Sequence, residues 1–399
     1  MSRTRTLVIV LAGGAGGRLE LLTHRRAKPA VPFGGTHRLI DFPMSNCHNA
    51  GLDDVWVSQQ FNPISLSDHL SNGRPWDLDR TSGGLLTLQP RLGHDERTGF
   101  QQGTADGIWR YGPLVREFDP SAVVVVSADA VYALDYAALI EEHAEAGADV
   151  TMVTTEVDPG DAARYGVVQA DGGRIREYAY KPEDPTGNLV ANEVFVFRPA
   201  ALLDTLDELA DQAGEDGLRD LGHDLLPRLV AGGRAHEHRF EGYWRDVGTI
   251  PAYWEAHQDL LADAPPIDLD DAAWPILTRE TARRSAARVS ASAEVASSLL
   301  APGSRVAGVV ERSVIGRGAV VEQGATVRDS VLLPGTIVRR GALVVRAILD
   351  DDVEVSADAS VGAEGREIAL VGNRAVVAEG TRLAGGARHP EPEDQGADE

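Results

Sequence analysis

The sequence predicts an α/β fold with a doubly wound, mostly parallel sheet, followed by a left-handed parallel β-helix. Strand-like and helix-like segments alternate through the first part of the chain, and apolar residues then recur every six positions. We predict a first domain at 1–262, a connector at 263–287, a β-helix at 288–385 and a disordered acidic tail at 386–399.

The first domain begins with unbroken apolar strands. Val123–Val126 is typical of a parallel strand that is covered on both faces. Further strands are predicted at Thr6–Leu11, Asp54–Ser58, Val150–Thr155, Gly166–Gln169 and Val194–Phe197, and helices at Tyr136–Ala146 and Leu202–Gln212. Doubly wound sheets bind ligands beyond the carboxyl ends of their strands, so we expect the functional residues there.

The second domain is predicted from a six-residue period, in which each short strand stacks on the next coil. The periodic residues are Ile315, Val321 and Val327 and then, in a shifted register, Val331, Ile337, Leu343, Leu349, Val355 and Val361. Acyltransferases with such repeats use a histidine between coils, and residues 315–361 contain none. We therefore expect a role in assembly for this domain.

Composition excludes several classes of partner and site. The formal net charge of -23 argues against a nucleic acid or an anionic membrane as the main partner, because both are polyanions. No apolar run approaches the ~20 residues of a membrane span. The single cysteine, Cys47, excludes an intrachain disulfide and a cysteine-based zinc site, and it fits a cytoplasmic protein.

The lysines are unusual in number and position. Lys28 and Lys181 are the only lysines among the 38 Lys and Arg residues, and each precedes a proline. Lysine offers a compact point charge on a slim stem, so both positions suggest a site where a guanidinium would not fit. Chance in an arginine-biased chain is the alternative.

The glycine-rich turn after the first strand suggests phosphate binding. Gly13, Gly14 and Gly16 allow backbone N–H groups to approach phosphates, and Arg18 and Lys28 add positive charge. The turn lacks the third glycine of G-x-G-x-x-G and the GK[ST] of a P-loop. A plain tight turn is the alternative.

Three further positions suggest nucleotide and metal binding. Gly103-Thr104-Ala105-Asp106 reads as a turn that opens a helix close to a base or ribose, with a helix cap as the alternative. Asp129 follows an apolar strand closely, where a carboxylate facing a triphosphate would hold Mg²⁺; Asp246 is a candidate second ligand. The alternatives are that Asp129 is a simple turn residue and that Asp246 forms a salt bridge with a nearby arginine.

The order of these segments resembles that of the bacterial glucose-1-phosphate adenylyltransferase family. The strings R-A-K-P-A-V-x-F-G-G and Y-W-R-D-V-G-T are specific to this group within the wider nucleotidyltransferases. The matching segments are Leu11–Leu19, Arg26–Gly35, Asp41–Cys47, Gly103–Asp106, Asp129–Tyr136, Tyr165–Val167, Lys181-Pro182, Asp220–Asp224, Tyr243–Tyr253 and Trp274–Ile276.

This resemblance implies a reaction between ATP and a hexose 1-phosphate, with Mg²⁺ as cofactor, in a homotetramer or homodimer. It implies that Arg18, Lys28 and Asp129 are catalytic and that Asp129 and Asp246 hold the metal. It places Gly13, Gly14, Gly16, Gln101, Gly103, Thr104 and Asp106 at the nucleotide, Gly166, Tyr180, Lys181 and Asn192 at the sugar phosphate, and Arg25 at a possible effector site.

The departures from the family pattern concentrate in the sugar site. Tyr180 replaces a glutamate that faces glucose in the family, and Ala191-Asn192-Glu193-Val194 replaces A-S-M-G. Ala15 replaces an arginine, Ala128-Asp129-Ala130 replaces G-D-H, and Gln101-Gln102 replaces a tyrosine-bearing segment. Three interpretations follow. The chain is an adenylyltransferase in which Tyr180, Asn192 and Glu193 compensate for the missing sugar-site residues, a nucleotidyltransferase for another sugar 1-phosphate, or a weakly active or regulatory subunit. The retained phosphate and metal residues argue against the last.

Overall fold

A nine-stranded sheet forms the centre of the first domain in the computed structural model of the chain, which describes residues 5–90, 97, 99–280 and 285–391. The strands of the first domain are β1 Thr6–Ala12, β2 Pro32–Phe33, β3 His37–Arg38, β4 Asp54–Gln59, β5 Gly84–Leu88, β6 Ala122–Ser127, β7 Ala130–Tyr132, β8 Val150–Glu156, β9 Gly166–Asp171, β10 Arg174–Tyr180, β11 Leu189–Phe197, β12 Ala235–Arg239 and β13 Trp244–Asp246. Two small ladders, β2 with β3 and β7 with β13, lie outside the main sheet.

The main sheet has the order β5-β4-β1-β6-β11-β8-β12-β10-β9 and is mixed rather than mostly parallel. Strands β5, β4, β1 and β6 are parallel, as predicted. β11 instead runs antiparallel to both β6 and β8. The reason is that β9, β10 and β11 follow one another without a helical crossover, which a parallel pair requires.

Helices cover both faces of the sheet, which confirms the doubly wound arrangement. They are α1 Asp41–Asn49, α2 Pro63–Leu70, α3 Thr104–Phe118, α4 Tyr136–Ala146, α5 Pro199–Ala213, α6 Leu226–Ala231 and α7 Ile250–Asp259. On one face Val123 packs with side chains of α3, α5 and α6. On the other face Val124 packs with side chains of α1, α2 and α4. The unbroken apolar strands therefore bury alternate residues against opposite helix layers.

The second domain is a parallel β-helix, as predicted. Its three six-stranded sheets, counted over the residues described beyond 285, are flat faces typical of a left-handed β-helix. The first sheet contains β14 Arg288–Val289, β17 Arg305–Val306, β20 Val320–Val321, β23 Ile337–Val338, β26 Glu354–Val355 and β29 Val376–Val377. The second sheet contains β15 Glu294–Ala296, β18 Val309–Glu311, β21 Thr326–Arg328, β24 Leu343–Val345, β27 Ser360–Val361 and β30 Arg382–Leu383. The third sheet contains β16 Leu299–Leu300, β19 Val314–Ile315, β22 Val331–Leu332, β25 Ala347–Leu349, β28 Ala369–Val371 and β31 Arg388–His389.

The interior of the β-helix differs from the predicted period in one stretch. Most periodic residues are buried, but Leu343 is 41% exposed, and Val338 and Val344 fill the interior beside Ile337 and Leu343. Side chains alternate between the two sides of a strand, so a shift of one residue exchanges inside and outside.

The last coil of the β-helix extends past the predicted boundary at 385. Arg388 and His389 pair with Leu370 and Val371, so the last coil continues past Gly386. Their backbone groups find partners on the preceding coil, which keeps this segment in the sheet. Residues 392–399 lie outside the described residues.

The two domains share an apolar cluster and a buried ion pair. Phe33 and Tyr253 of the first domain lie in one cluster with Val331 and Leu370 of the β-helix. Arg26 reaches across to a pair of β-helix aspartates. Between the domains, the connector packs on α1, where the Trp274 indole donates a 2.8 Å hydrogen bond to Asn46. Within the residues that the structure describes, every helix is too short or too polar to cross a membrane.

Candidate active site

Two predicted metal ligands lie side by side beyond the carboxyl end of β6. Asp129 follows this strand directly, and β7 then pairs antiparallel with β13, which places Asp246 opposite Ala130. The Val247 N–H also donates to the Asp129 carbonyl oxygen at 3.3 Å. A short ladder thus joins two segments that are distant in the sequence and brings both carboxylates to one point.

Asp129 is held by two side chains. The Lys28 ammonium donates to Asp129 Oδ2 at 2.6 Å, and the Ser127 hydroxyl donates to Oδ1 at 2.5 Å. Burial alone would raise the pKa of Asp129, but Lys28 outweighs it and lowers this pKa. Burial would likewise lower the pKa of Lys28, whereas Asp129 and Asp246 raise it. Both groups are therefore charged at neutral pH.

Asp246 is less fully neutralised than Asp129. The Arg164 Nη2 atom lies 3.6 Å from Asp246 Oδ2 and forms a long ion pair with it. Burial and the neighbouring Asp129 raise the pKa of Asp246, while Lys28, Arg164 and Arg18 oppose that change. Arg18 is exposed and approaches the same carboxylate across Gly248. This pair of carboxylates leaves charge for a cation to neutralise.

A cavity of about 300 Å³, here called the larger cavity, opens beside these carboxylates. Its lining includes Gly13, Gly14, Lys28, Ser58, Gln60, Gln101, Gly103, Thr104, Ser127, Asp129, Glu193 and Asp220. Gln101 is fixed by its backbone N–H, which donates to Gln60 Oε1 at 2.7 Å, and by Ser58, which lies 3.1 Å from its side-chain nitrogen. Hydrogen-bonding groups on a fixed rim suit the edge of a base.

The start of α3 closes one side of the larger cavity. A Cβ atom on Gly103 would overlap the Arg219 carbonyl oxygen, so this position accepts glycine alone. The Thr104 N–H and hydroxyl donate to Asp220 Oδ1 at 3.2 and 3.3 Å. Asp106, predicted at the nucleotide, is instead buried, accepts the Gln102 N–H and pairs with Arg110. Its role in the structure is to fix the helix start.

A smaller cavity of about 80 Å³ adjoins the larger one. The two share Leu11, Thr104, Ser127, Glu193 and Asp220. The predicted sugar-phosphate residues Gly166, Tyr180 and Lys181 line the smaller cavity, together with Tyr165, Tyr178 and Phe195. The Tyr180 hydroxyl donates to Asp220 Oδ2 at 3.3 Å, and Lys181 Nζ lies 4.7 Å from the Tyr180 ring centroid.

The fourth predicted sugar residue, Asn192, does not line either cavity. It is 1% exposed, and neither of its amide atoms has a hydrogen-bond partner in the described structure. The pairing of β11 with β8 shifts between Ala191 and Phe195, and this bulge turns Glu193 into the cavities in its place. Burial, Asp129 and Asp246 raise the pKa of Glu193 to about 7, although Lys28 and Lys181 act against them.

The other predicted residues take different places. Gly16 lies beneath the site, where its left-handed backbone packs on Thr23 and Lys28. Arg25 is exposed and does not line either cavity, so its role in effector binding stays a prediction. Asp220 and Tyr165 were not assigned a role from the sequence, although they lie in the matched segments Asp220–Asp224 and Tyr165–Val167. No local signal marks Ser127 or Tyr178.

Comparison with known proteins identifies the family. The family model described as "Nucleotidyl transferase" matches residues 7–263, and the one described as "GlmU-like, C-terminal hexapeptide" matches residues 281–378. A glucose-1-phosphate adenylyltransferase of Thermomicrobium roseum is 41% identical over 94% of this chain and 91% of its own length. The chain belongs to the glucose-1-phosphate adenylyltransferase family. Family members of the same name from Acetivibrio thermocellus and Thermotoga maritima are 34% and 41% identical, over 96% and 80% of this chain and 92% and 75% of their own lengths.

The residues of this adenylyltransferase family member fit a divalent cation. Carboxylate oxygens such as those of Asp129 and Asp246 are the ligands that hard divalent cations prefer. Within residues 5–90, 97, 99–280 and 285–391, no group of three or more His, Cys, Asp or Glu side chains is arranged to hold an ion. Phosphate and water oxygens would therefore complete the coordination, which is usual for cations bound together with a nucleotide.

Proposed function

We propose that the protein transfers the adenylyl group of ATP to glucose 1-phosphate and releases pyrophosphate. The observation that supports this most is that Asp129 and Lys28 form an ion pair on the wall of the larger cavity, with Asp246 beside Asp129 and the smaller cavity adjoining. The nucleotide would occupy the larger cavity and the sugar phosphate the smaller one. The names of the curated relatives support the same pair of substrates.

The reaction is a single displacement at phosphorus. A phosphate oxygen of the sugar phosphate forms a bond to the α-phosphorus of ATP, and the bond from that phosphorus to the bridging oxygen breaks. Pyrophosphate leaves with the electron pair, so no side chain needs to form a covalent bond. Positioning and charge stabilisation then supply the catalysis.

Each part of the site has one task in this reaction. The glycine-rich turn and Arg18 bind the triphosphate, Lys28 neutralises the charge of the leaving pyrophosphate, and Lys181 binds the phosphate of the sugar. Asp129 and Asp246 would hold Mg²⁺, which when bound supplies further charge neutralisation at the phosphates. Lys28 exchanges its carboxylate partner for phosphate as the nucleotide enters.

The cellular setting is also a proposal. A buried free thiol at Cys47 fits the reducing cytoplasm. The β-helix provides the surface for a homodimer or homotetramer, and Arg25 would contact an effector. Size-exclusion chromatography with light scattering measures the oligomeric state. Kinetics of Arg25→Ala with a panel of sugar phosphates tests the effector contact.

The decisive experiment is pyrophosphate release from purified protein with Mg²⁺. ATP, CTP, UTP, GTP and dTTP are each paired with glucose, mannose, galactose and N-acetylglucosamine 1-phosphates. We expect turnover with ATP and glucose 1-phosphate. Turnover with a different nucleotide would refute the proposed base preference. Failure of every pair, despite ATP binding in calorimetry, would favour a regulatory subunit instead.

A further inference from the structure

Glu193 is directed into the site by an irregularity of its strand. Ala191 pairs with Thr154 and Phe195 with Met152, so β11 contains two extra residues opposite this stretch of β8. Glu193 has φ 62°, a left-handed conformation that is uncommon outside glycine. Its flanking residues in β11 are buried, whereas Glu193 is open to both cavities. Bulges beside active sites commonly redirect one side chain in this way.

The Glu193 carboxylate lacks a partner, unlike the other acidic side chains that line the cavities. Among the described residues no hydrogen bond or ion pair reaches this carboxylate, and Lys28 and Lys181 act on it only at longer range. Asp129 is held by Lys28 and Ser127. Asp220 accepts bonds from Thr104 and Tyr180. An unpaired carboxylate on the wall of a cavity is available to pair with a positively charged group of the ligand.

The two lysines of the site are already engaged. Lys28 lies 2.6 Å from Asp129. Lys181 lies over the ring of Tyr180 and is assigned above to the phosphate of the sugar. The remaining charges that act on Glu193 are Asp129 and Asp246, which are negative. The protein therefore supplies no cation for Glu193 once both substrates are bound.

The rest of the smaller cavity is largely aromatic and apolar. Tyr165, Tyr178 and Phe195 form much of its wall, with Leu221 and Leu226 beside them. A neutral hydroxyl donates one hydrogen bond to a carboxylate in such a pocket. An ammonium donates a hydrogen bond and adds the attraction between two opposite charges, and aromatic faces also attract cations.

We propose that Glu193 selects a hexose 1-phosphate that carries an ammonium group over the neutral hexose 1-phosphate. This inference rests on the proposed function, because it concerns the acceptor in the same reaction. The amino group replaces one hydroxyl and contacts the Glu193 carboxylate, while Lys181 keeps the phosphate. The chemistry of adenylyl transfer is unchanged.

The test compares glucosamine 1-phosphate, glucose 1-phosphate and N-acetylglucosamine 1-phosphate with ATP and Mg²⁺. Acetylation removes the charge and keeps the nitrogen, so it is the matched ligand control. We expect kcat/KM to be about 10- to 100-fold higher for the amino sugar than for glucose 1-phosphate. Glu193→Gln should abolish this preference, because the amide keeps the size of the side chain and removes its charge. Glu183→Gln, which removes an exposed carboxylate elsewhere, should keep the preference.

Three results would overturn the proposal. Equal kcat/KM for the amino and neutral sugars in the wild type would refute it whether or not the variant folds. A preference that persists in Glu193→Gln would assign the selection to other residues. A shift in the Mg²⁺ concentration for half-maximal activity of Glu193→Gln, with both sugars affected equally, would make the carboxylate a metal ligand.

A failure of the proposed function gives a different result. If no nucleotide and sugar pair is turned over, binding of glucosamine 1-phosphate and glucose 1-phosphate is measured by calorimetry in the presence of a non-hydrolysable ATP analogue. Tighter binding of the amino sugar that is lost in Glu193→Gln supports the selection. Equal binding refutes it.

Discussion

Replacing Arg26 with methionine should destabilise the whole protein, because Arg26 joins the two domains through a buried ion pair. Its Nη1 lies 2.6 Å from Asp350 Oδ1 and its Nη2 lies 3.0 Å from Asp351 Oδ2. The side chains of Arg26 and Asp350 are 7% and 1% exposed. Methionine fills a similar volume but leaves Asp350 without a cation, while Arg38 and Arg374 still act on Asp351.

The magnitude follows from the burial of those carboxylates. Breaking one buried pair by removing a single partner costs about 3–5 kcal/mol. A change of 1 kcal/mol shifts the melting temperature of a domain of ~150–250 residues by about 2–4 °C, so we expect a decrease of about 6–20 °C. Arg26 lies two residues before Lys28, and the same variant should weaken ATP binding.

The loss of stability in Arg26→Met should depend on pH. Burial and Asp351 raise the pKa of Asp350 to about 6, against the opposing effect of Arg26. A carboxyl group with a raised pKa in the folded state stabilises the fold at acid pH, and this contribution is lost as the pH rises through that pKa. Without Arg26 the pKa of Asp350 rises further, so the destabilisation should be larger at pH 8 than at pH 5.

The assay is differential scanning calorimetry at both pH values. Arg25→Met removes an exposed guanidinium next in sequence and should change the melting temperature by less than about 1 °C. Adding Asp350→Asn and Asp351→Asn to Arg26→Met should restore most of the stability, since no charge is then left buried. An Arg26→Met variant as stable as the wild type, or one equally destabilised at pH 5 and pH 8, would refute the reasoning.

Three further variants test the site itself. Asp129→Asn should lower kcat about 100- to 1,000-fold and change the Mg²⁺ dependence, and unchanged Mg²⁺ titrations would disprove the metal assignment. Gly103→Ala should raise the KM for ATP at least about 10-fold, because the new methyl group overlaps the Arg219 carbonyl oxygen; an unaltered KM would contradict the close approach. Tyr180→Phe removes the hydrogen bond to Asp220 and should raise the KM for the sugar phosphate about 5-fold at constant kcat, whereas a fall in kcat alone would place Tyr180 elsewhere.

Local patterns predicted the parts of the fold that depend on local physics. The alternation of buried residues along Val123–Val126 follows from strand geometry, and the six-residue period follows from the stacking of coils. The position of Asp129 could be predicted because the end of an apolar strand is a fixed place in such sheets, and its role as a metal ligand stays a prediction. The antiparallel insertion of β11 was missed, since no residue of that strand encodes its neighbours.

The parts of the site that depend on exceptions to a pattern were not predictable from the sequence. The bulge in β11 exchanges Asn192 for Glu193, and its two extra residues become visible only against the partner strand. Asp106 resembles a ligand in sequence, but it contacts Arg110 and the start of its own helix. The pairing of Arg26 with Asp350 joins residues from opposite ends of the chain and leaves no local trace.

Synthesis of the chain exposes the face that the two domains share. Phe33 and Tyr253 leave the ribosome early, whereas Val331 and Leu370, which cover the same cluster, follow much later. Tyr253 and Val331 are 78 residues apart, so at about 5–20 residues per second this interval lasts at least about 4–16 s. The nascent first domain therefore presents apolar surface to chaperones during that time. We expect docking of the completed coils to cover this surface and so to remove the binding site that a chaperone would use.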